Sequence, residues 1–203
     1  MDRAAQLLVA AGMLATLAAA ANASEEPVPD INEGRQLVYT CLGCHGIENY
    51  KNSYPKYSVP KLGGQHAAYL VAALGEYQAG ARWHPTMQGY ANTLSGEDRA
   101  DVAAYFASLA PAGAGGEPVG KPPEKASTCV PCHGRSGIGT TGDYPNLAGQ
   151  HADYIEQALN DYRLGKRKNA IMQPFAQQLT QDDIHALAQF FSRQQGLTSP
   201  QHD

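Results

Sequence analysis

Two stretches of the chain carry apolar residues at alternating spacings of four and three, the repeat of one face of a helix. They are Leu70, Leu74 and Tyr77 in the first half and Ile155, Leu159 and Tyr162 in the second. No segment alternates apolar and polar positions long enough to predict a strand. The pattern therefore predicts an all-α fold in which each half contributes the same type of helix.

A second pair of helices is predicted from capping residues. Ser95 is followed at the third position by Asp98, and Thr180 in the same way by Asp183, which is the pattern of a capped helix N-terminus. The buried faces of these helices would carry Val102, Tyr105, Phe106, Leu187, Phe190 and Phe191. A shorter helix is expected from Ile31 to Tyr39.

The two halves are copies of one unit. The segment Pro60–His66 returns as Pro145–His151, and the residues that follow return with the same shift. Between the copies, residues 111–123 are mostly Ala, Gly and Pro, which is typical of a linker. We predict one domain at 24–110 and a second at 124–203.

The N-terminal segment 1–23 has the composition of a secretory signal peptide. An apolar, alanine-rich run from Ala4 to Ala21 ends in Ala21-Asn22-Ala23, a small-x-small cleavage pattern. The mature chain would begin at Ser24 and be periplasmic. The alternative is an uncleaved membrane anchor, and a peripheral association with the membrane also stays open. The whole chain is 43% hydrophobic with a net charge of −4, an ordinary soluble composition for which we expect no nucleic-acid partner.

The segments Cys41–His45 and Cys129–His133 both read Cys-x-x-Cys-His, are each followed by glycine, and use all four cysteines. Two thiols at this spacing can bond to the vinyl groups on one edge of a haem, while the adjoining histidine ligates its iron. The pattern predicts two covalently attached c-type haems. The attachment residues would be Cys41, Cys44, Cys129 and Cys132, and the proximal iron ligands His45 and His133.

Other uses of paired cysteines fit less well. The cysteine pairs of a zinc site usually lie about 12–20 residues apart, whereas Cys44 and Cys129 lie in different halves of the chain. A thioredoxin-like redox pair requires a βαβ context and does not explain the histidine and glycine after both pairs. Disulfides are the third alternative for an exported chain.

The haem would also form a large part of the hydrophobic core of each domain. A domain of about 85 residues with a few short helices buries only a modest apolar surface. A large apolar cofactor at its centre would compensate, so we expect neither domain to fold properly without it.

The sixth ligands of the two irons are predicted to be Met87 and Met172. They are the two methionines outside the leader, they are related by the same shift as the repeated segments, and each follows the histidine of its own half. Each also lies beside a proline, which favours a rigid loop reaching the distal side of the haem. A lone methionine is more often core filler, but two at equivalent positions favour axial ligation.

Histidines are the rival sixth ligands. His84 shortly precedes Met87, but its counterpart in the second half is Asn169. His66 and His151 match each other, yet each precedes a predicted helix and is more simply explained by packing.

Charged and hydroxyl groups recur near these sites. Arg82 and Arg167 occupy equivalent positions and would neutralise haem propionates, to which Tyr57 or Tyr144 would donate hydrogen bonds. Simple solvation of these side chains is the alternative.

Taken together, the motifs resemble those of the diheme cytochromes c4. The resemblance rests on Cys-x-x-Cys-His-Gly, Pro-x-Leu-x-Gly-Gln-His and Tyr-x-x-Gly-x-Arg in both halves, and on the two methionines. It implies two class I cytochrome c folds related by pseudo-twofold symmetry. It also implies periplasmic electron transport from a quinol-oxidising complex to a terminal oxidase or another reductase. One departure is Lys121–Lys125, where two prolines replace a fuller N-terminal helix, so that helix would be short.

This resemblance predicts an electron carrier and not an enzyme, with no catalytic residue. One alternative is the cytochrome subunit of a flavocytochrome or dehydrogenase, which would also keep two closed haems. The other is a diheme enzyme, in which one haem would lack a distal methionine.

Overall fold

The computed structural model describes residues 28–54, 56–109 and 115–200. Within these ranges the chain forms helices and only isolated β-bridges, which confirms the all-α prediction. No described helix is both long and apolar enough to span a bilayer. The predicted leader, 1–23, and residues 111–114 of the predicted linker lie outside the described ranges.

Within the described ranges, each half contains five helical elements in the same order. Those of the first half are α1 (Ile31–Leu37), α2 (Tyr39–His45), α3 (Ala67–Gln78), α4 (Pro85–Thr93) and α5 (Gly96–Ser108). Those of the second are a 3₁₀ helix (Glu124–Thr128), α6 (Val130–His133), α7 (Ala152–Arg163), α8 (Met172–Gln177) and α9 (Gln181–Ser192). The two stretches with apolar residues at helical spacing therefore form α3 and α7, as predicted.

Both predicted caps are formed. Ser95 Oγ accepts from the Asp98 N–H (3.0 Å) while the Asp98 carboxylate accepts from the Ser95 N–H (2.8 Å). Thr180 and Asp183 form the same reciprocal pair at the start of α9. Hydrogen bonds from the backbone and hydroxyl of the capping residue lower the pKa of Asp98 and Asp183. These caps fix where α5 and α9 begin, and α5 and α9 supply much of the core.

Each domain has its own apolar cluster. In the first, Val102 and Phe106 of α5 are buried with their neighbours from α2 and α3. In the second, Leu187, Phe190 and Phe191 of α9 take this place. Tyr105 is only half-buried.

The N-terminal helices of the two domains differ as predicted. In α1, Gly34 lies so close to α5 that an added Cβ would collide with the Asp101 carbonyl. At the equivalent place the second domain has Pro122 and Pro123, whose missing N–H groups and fixed φ delay the start of the helix. Only the short 3₁₀ helix then precedes the second Cys-x-x-Cys-His motif.

The two domains contact each other through reciprocal hydrogen bonds. The Gln65 side chain bonds both the N–H (2.8 Å) and the carbonyl (3.0 Å) of Asn146. Gln150 bonds both groups of Lys61 in the same way, at 2.9 and 3.0 Å. Because the two sets of contacts are equivalent under exchange of the domains, the interface is pseudo-twofold.

One interdomain contact has no symmetric copy. The Asp153 carboxylate at the start of α7 accepts from Lys51 Nζ (3.1 Å) and from the Ser58 backbone N–H (3.1 Å) and hydroxyl (2.9 Å). The equivalent residue of the first domain is Ala68. Although burial raises the pKa of Asp153, hydrogen bonds from Lys51 and Ser58 bring it below its ordinary value of 3.8.

Asp153→Ala is expected to destabilise the protein by about 1 kcal/mol at pH 7, a value reduced by partial solvent screening. A carboxylate whose pKa is lowered by folding stabilises the fold above its unfolded pKa, and this contribution is lost as pH falls through the lowered value. The difference in the free energy of unfolding between wild type and Asp153→Ala, measured with urea, should therefore be smaller below pH 3.8 than at pH 7. The exposed Asp143→Ala removes the same charge as a control, and an equal loss of stability in both variants would refute the assignment.

Candidate haem sites

The four cysteines face a shared interior. Cys41 and Cys44 lie on α2, while Cys129 and Cys132 lie immediately before and within α6. All four are half-buried and none of them forms a disulfide, and burial raises the pKa of Cys41 and Cys129. In the described ranges no three His, Cys, Asp or Glu side chains are grouped to hold a metal ion. Neither the disulfide nor the zinc alternative therefore has geometric support.

Both predicted proximal histidines are buried and oriented alike. His45 Nδ1 lies 2.8 Å from the Pro60 carbonyl oxygen, and His133 Nδ1 lies 2.9 Å from that of Pro145. Because a carbonyl only accepts, Nδ1 carries the proton in each ring and Nε2 is left with its lone pair. Burial also lowers the pKa of both histidines, which keeps the rings neutral.

The hydrogen-bond partners of the two histidines, the carbonyl oxygens of Pro60 and Pro145, were not predicted from the sequence. Pro60 and Pro145 open the repeated Pro-x-Leu-x-Gly-Gln-His segments, so the signal was visible as part of the repeat. What the repeat did not reveal was that their carbonyls would meet the two histidines. Such a partner fixes the tautomer and the ring orientation of a metal-binding histidine.

Met87 and Met172 lie on short helices, so the prediction of a rigid distal loop was wrong. Met87 is the third residue of α4, which starts with proline, and Met172 is the first residue of α8. The prolines act as helix starters: Pro85 occupies the first turn, where a missing N–H has no cost. Both methionine side chains line the interior that the cysteines face.

The rival histidine has a capping role. His84 Nδ1 accepts from the Met87 N–H at 3.4 Å, and at the equivalent position Asn169 Oδ1 accepts from the Met172 N–H at 2.9 Å. His84 is the N-cap residue of α4, whereas Asn169 lies two residues before Ile171, the N-cap residue of α8, and both side chains accept from a methionine N–H. His66 and His151 each precede a helix, as predicted, and His66 Nδ1 contacts the Tyr144 carbonyl oxygen at 3.0 Å.

One continuous cavity of about 1170 Å³ joins these residues. Its volume exceeds the roughly 300–1,000 Å³ of ordinary small-molecule pockets. The lining includes both Cys-x-x-Cys-His motifs and both methionines, together with the apolar residues Leu70, Leu74, Val102, Phe106, Ile155, Leu159, Leu187 and Phe191. Its size and apolar walls suit two large flat cofactors.

Where the domains meet, two buried arginines line the cavity. Arg82 and Arg167 are both 6% exposed, and each donates to the Tyr69 hydroxyl at 2.9 Å. Neither forms an ion pair with a carboxylate within the described residues. Two buried atoms in this region, Arg167 Nε and Glu76 Oε2, have no hydrogen-bond partner. Arg167 Nε is thus a donor available to an anionic group such as a haem propionate.

The predicted hydroxyl donors line the same cavity. Burial raises the pKa of Tyr57 to about 12, with smaller contributions from Tyr77 and Asp161, so its hydroxyl stays protonated. The Tyr144 ring lies 6.4 Å from that of His133. Both tyrosines therefore line the cavity in which the haem propionates are predicted to lie.

Comparison with known proteins assigns the family. Residues 31–110 match the family model described as cytochrome c, and residues 125–191 match that of cytochrome c oxidase, cbb3-type, subunit III. Cytochrome c4 of Pseudomonas aeruginosa is 36% identical over 184 residues, which cover 83% of this chain and 89% of that protein. This chain belongs to the cytochrome c4 family.

A solved structure supports the same conclusion. The crystal structure of reduced recombinant cytochrome c4 from Pseudomonas stutzeri has a TM-score of 0.65 at 30% identity, covering 82% of this chain and 99% of that one. The thiosulfate dehydrogenase electron acceptor of Stutzerimonas stutzeri is 33% identical over 169 residues, which cover 75% of this chain and 77% of that protein. These matches confirm the prediction of two cytochrome c-like domains.

Membership of the cytochrome c4 family confirms the cofactors. The chain carries two covalently bound c-type haems, at Cys41 with Cys44 and at Cys129 with Cys132. It is a diheme electron-transfer cytochrome by family. The axial roles of His45, Met87, His133 and Met172 stay predictions.

Proposed function

We propose that this protein is a periplasmic electron carrier, not an enzyme, in which each iron is closed by one histidine and one methionine. The first pair would be His45 with Met87, and the second His133 with Met172. The observation that carries the proposal is the equivalence of the two sites: oriented histidines, methionines at the start of short helices and a shared cavity.

The ligand set determines what such a site can do. When bound, the haems supply one-electron chemistry at iron, and methionine opposite histidine raises their reduction potential. With His45, Met87, His133 and Met172 as ligands, neither iron would have a position open to a substrate, which would suit electron transfer rather than catalysis. Pro60 and Pro145 hold the histidine rings, and the side chains of His84 and Asn169 accept from the methionine N–H groups.

We further propose that Arg82 and Arg167 bind propionates at the domain interface. Both guanidiniums are buried and form no salt bridge among the described residues, and a propionate would accept hydrogen bonds from them. The hydroxyls of Tyr57 and Tyr144 are the candidate hydrogen-bond donors to the same groups. Such contacts would place the two cofactors near the pseudo-twofold axis and near each other.

The predicted leader and domain boundaries are part of the proposal. Export by residues 1–23 would release a chain starting at Ser24, with domains at 24–110 and 124–203 and a linker at 111–123. Export fits the cofactor, because c-type haem is attached outside the cytoplasm. A peripheral association with the membrane would be compatible with these boundaries.

Two classes of partner are compatible with the carrier. We propose a quinol-oxidising complex as donor and a terminal oxidase or another reductase as acceptor. The relative named as a thiosulfate dehydrogenase electron acceptor favours a second candidate, a cytochrome subunit that receives electrons from a dehydrogenase. Purification from native cells separates them, because a dedicated subunit would co-purify in a fixed ratio with its catalytic partner and a free carrier would not.

A reductive titration tests the carrier role itself. The holoprotein should take up two electrons per chain. It should show no catalytic turnover of hydrogen peroxide when an electron donor is supplied, nor of thiosulfate when an electron acceptor is supplied. Sustained consumption of either compound under these conditions would identify a diheme enzyme instead.

A further inference from the structure

Each proximal histidine is connected through a single peptide group to the opposite domain. The peptide between Pro60 and Lys61 accepts from His45 Nδ1 at its carbonyl (2.8 Å) and donates from its N–H to Gln150 Oε1 (2.9 Å). Carbonyl and N–H belong to the same planar unit, so the two hydrogen bonds are in series.

The second domain contains the same chain of hydrogen bonds in the reverse direction. The peptide between Pro145 and Asn146 accepts from His133 Nδ1 (2.9 Å) and donates to Gln65 Oε1 (2.8 Å). Gln65 belongs to the first domain and His133 to the second, so the connection is crossed. Gln65 and Gln150 are only 4% and 5% exposed, which shields both chains from water.

The orientation of each glutamine amide is fixed by further bonds. Gln65 Oε1 also accepts from the His66 N–H at 2.9 Å, and its Nε2 donates to the Asn146 carbonyl at 3.0 Å. Gln150 makes the equivalent bonds to His151 and Lys61, both at 3.0 Å. With both ends of the amide satisfied, its oxygen is held against the peptide N–H.

Hydrogen bonds in series polarise one another, by roughly 10–30% per bond. An acceptor at the peptide N–H makes its carbonyl a stronger acceptor for the histidine Nδ1–H. A more strongly held Nδ1–H makes the imidazole a more basic ligand, and a more basic ligand favours the oxidised metal.

We propose that Gln65 and Gln150 are crossed positioning residues: Gln65 tunes the haem of the second domain, and Gln150 tunes the haem of the first. This inference rests on the proposed axial roles of His45 and His133. A change in the contacts between the domains would therefore also change the two reduction potentials.

The test requires the two haems to be told apart in a potentiometric titration. Met87→His should lower the potential of the first haem, because histidine lacks the potential-raising effect of methionine. In the Met87→His protein the higher potential is that of the second haem. In the Met172→His protein the higher potential is that of the first haem. Failure of Met87→His or Met172→His to move one potential would refute the ligand assignment, independently of the glutamines.

In the Met87→His background, Gln65→Leu is expected to raise the higher potential and Gln150→Leu the lower one. Loss of one hydrogen bond in series predicts a change of about twofold to tenfold in the ratio of reduced to oxidised haem at a fixed potential. Tenfold corresponds to about 59 mV for a one-electron couple. If each glutamine shifts the haem of its own domain, or both haems equally, the proposal is wrong.

Ser58→Ala is the matched control, because it removes an interdomain hydrogen bond from the Ser58 hydroxyl to the Asp153 carboxylate (2.9 Å) without touching either chain of bonds. It should leave both potentials unchanged, and a shift equal to that of Gln65→Leu would assign the effect to the interface in general. If Gln65→Leu does not fold, Gln65→Asn keeps an amide but withdraws it by one methylene group. The same crossed shift, in smaller measure, is then expected, and its absence in a folded Gln65→Asn protein would overturn the proposal.

Discussion

Met87→Ala and Met172→Ala are each expected to open one iron to carbon monoxide and to lower the potential of that haem alone. Alanine has no donor atom, so the iron of the altered site would keep only its histidine on the protein side. Each variant should lose about half of the weak methionine-to-iron absorption band near the red end of the oxidised spectrum. The potential of the opened haem should fall by on the order of 100 mV, because axial ligands are the strongest control on it.

His84→Asn is the matched control for Met87→Ala. It gives the first domain the asparagine that the second domain already has at the equivalent position, Asn169, where an amide oxygen accepts from the Met172 N–H. The methionine helix should therefore keep its start, and the absorption band should keep its full intensity. If Met87→Ala leaves the band unchanged while His84→Asn opens the first iron to carbon monoxide, the histidine is the ligand.

A chain produced without its haems is expected not to hold this fold. The cavity of about 1170 Å³ would then be empty or filled with water. Empty or water-filled space against apolar walls destabilises a fold, and domains are stable by only about 5–15 kcal/mol, so we expect the loss of both haems to exceed what the fold can tolerate. Because the apolar clusters of both domains border the cavity, both domains should lose their structure.

Production in the cytoplasm without residues 1–23 gives such a chain, since haem is attached after export. Circular dichroism should show less helix than the holoprotein, thermal unfolding should lose its cooperativity, and proteolysis should be rapid. The holoprotein with the same sequence from Ser24 onward is the control. A haem-free chain with native helix content and a cooperative transition would show that the cofactor is not needed for folding.

Local signals in the sequence predicted the elements well. The capping pairs at Ser95 and Thr180 act within one turn, so their geometry is determined by neighbouring residues. The prolines at 122 and 123 likewise shorten the second N-terminal helix by local means. The methionine segments were predicted wrongly as loops, because proline was taken as a breaker although it is well tolerated in the first turn.

The interface could not be predicted in this way. Gln65 meets Asn146, and Ser58 meets Asp153, in each case from the opposite half of the sequence. Periodicity and motif spacing report on single helices and carry no information on how two domains face each other. The repeat marked Gln65 and Gln150 as equivalent, but the crossed pairing required the structure.

For the buried arginines, too, one feature could be predicted from the sequence and another could not. Their equivalence and a role at propionates were predicted from the repeat. Their convergence on the Tyr69 hydroxyl was not, because that contact joins Arg167 of the second domain to a residue of the first.

The most direct test of the account is the addition of carbon monoxide to the reduced wild-type holoprotein. If both irons are closed by histidine and methionine, the absorption spectrum of neither haem should change. A spectrum of carbon monoxide bound at one haem would show an open iron, which would contradict the ligand assignment and favour the diheme enzyme over the carrier.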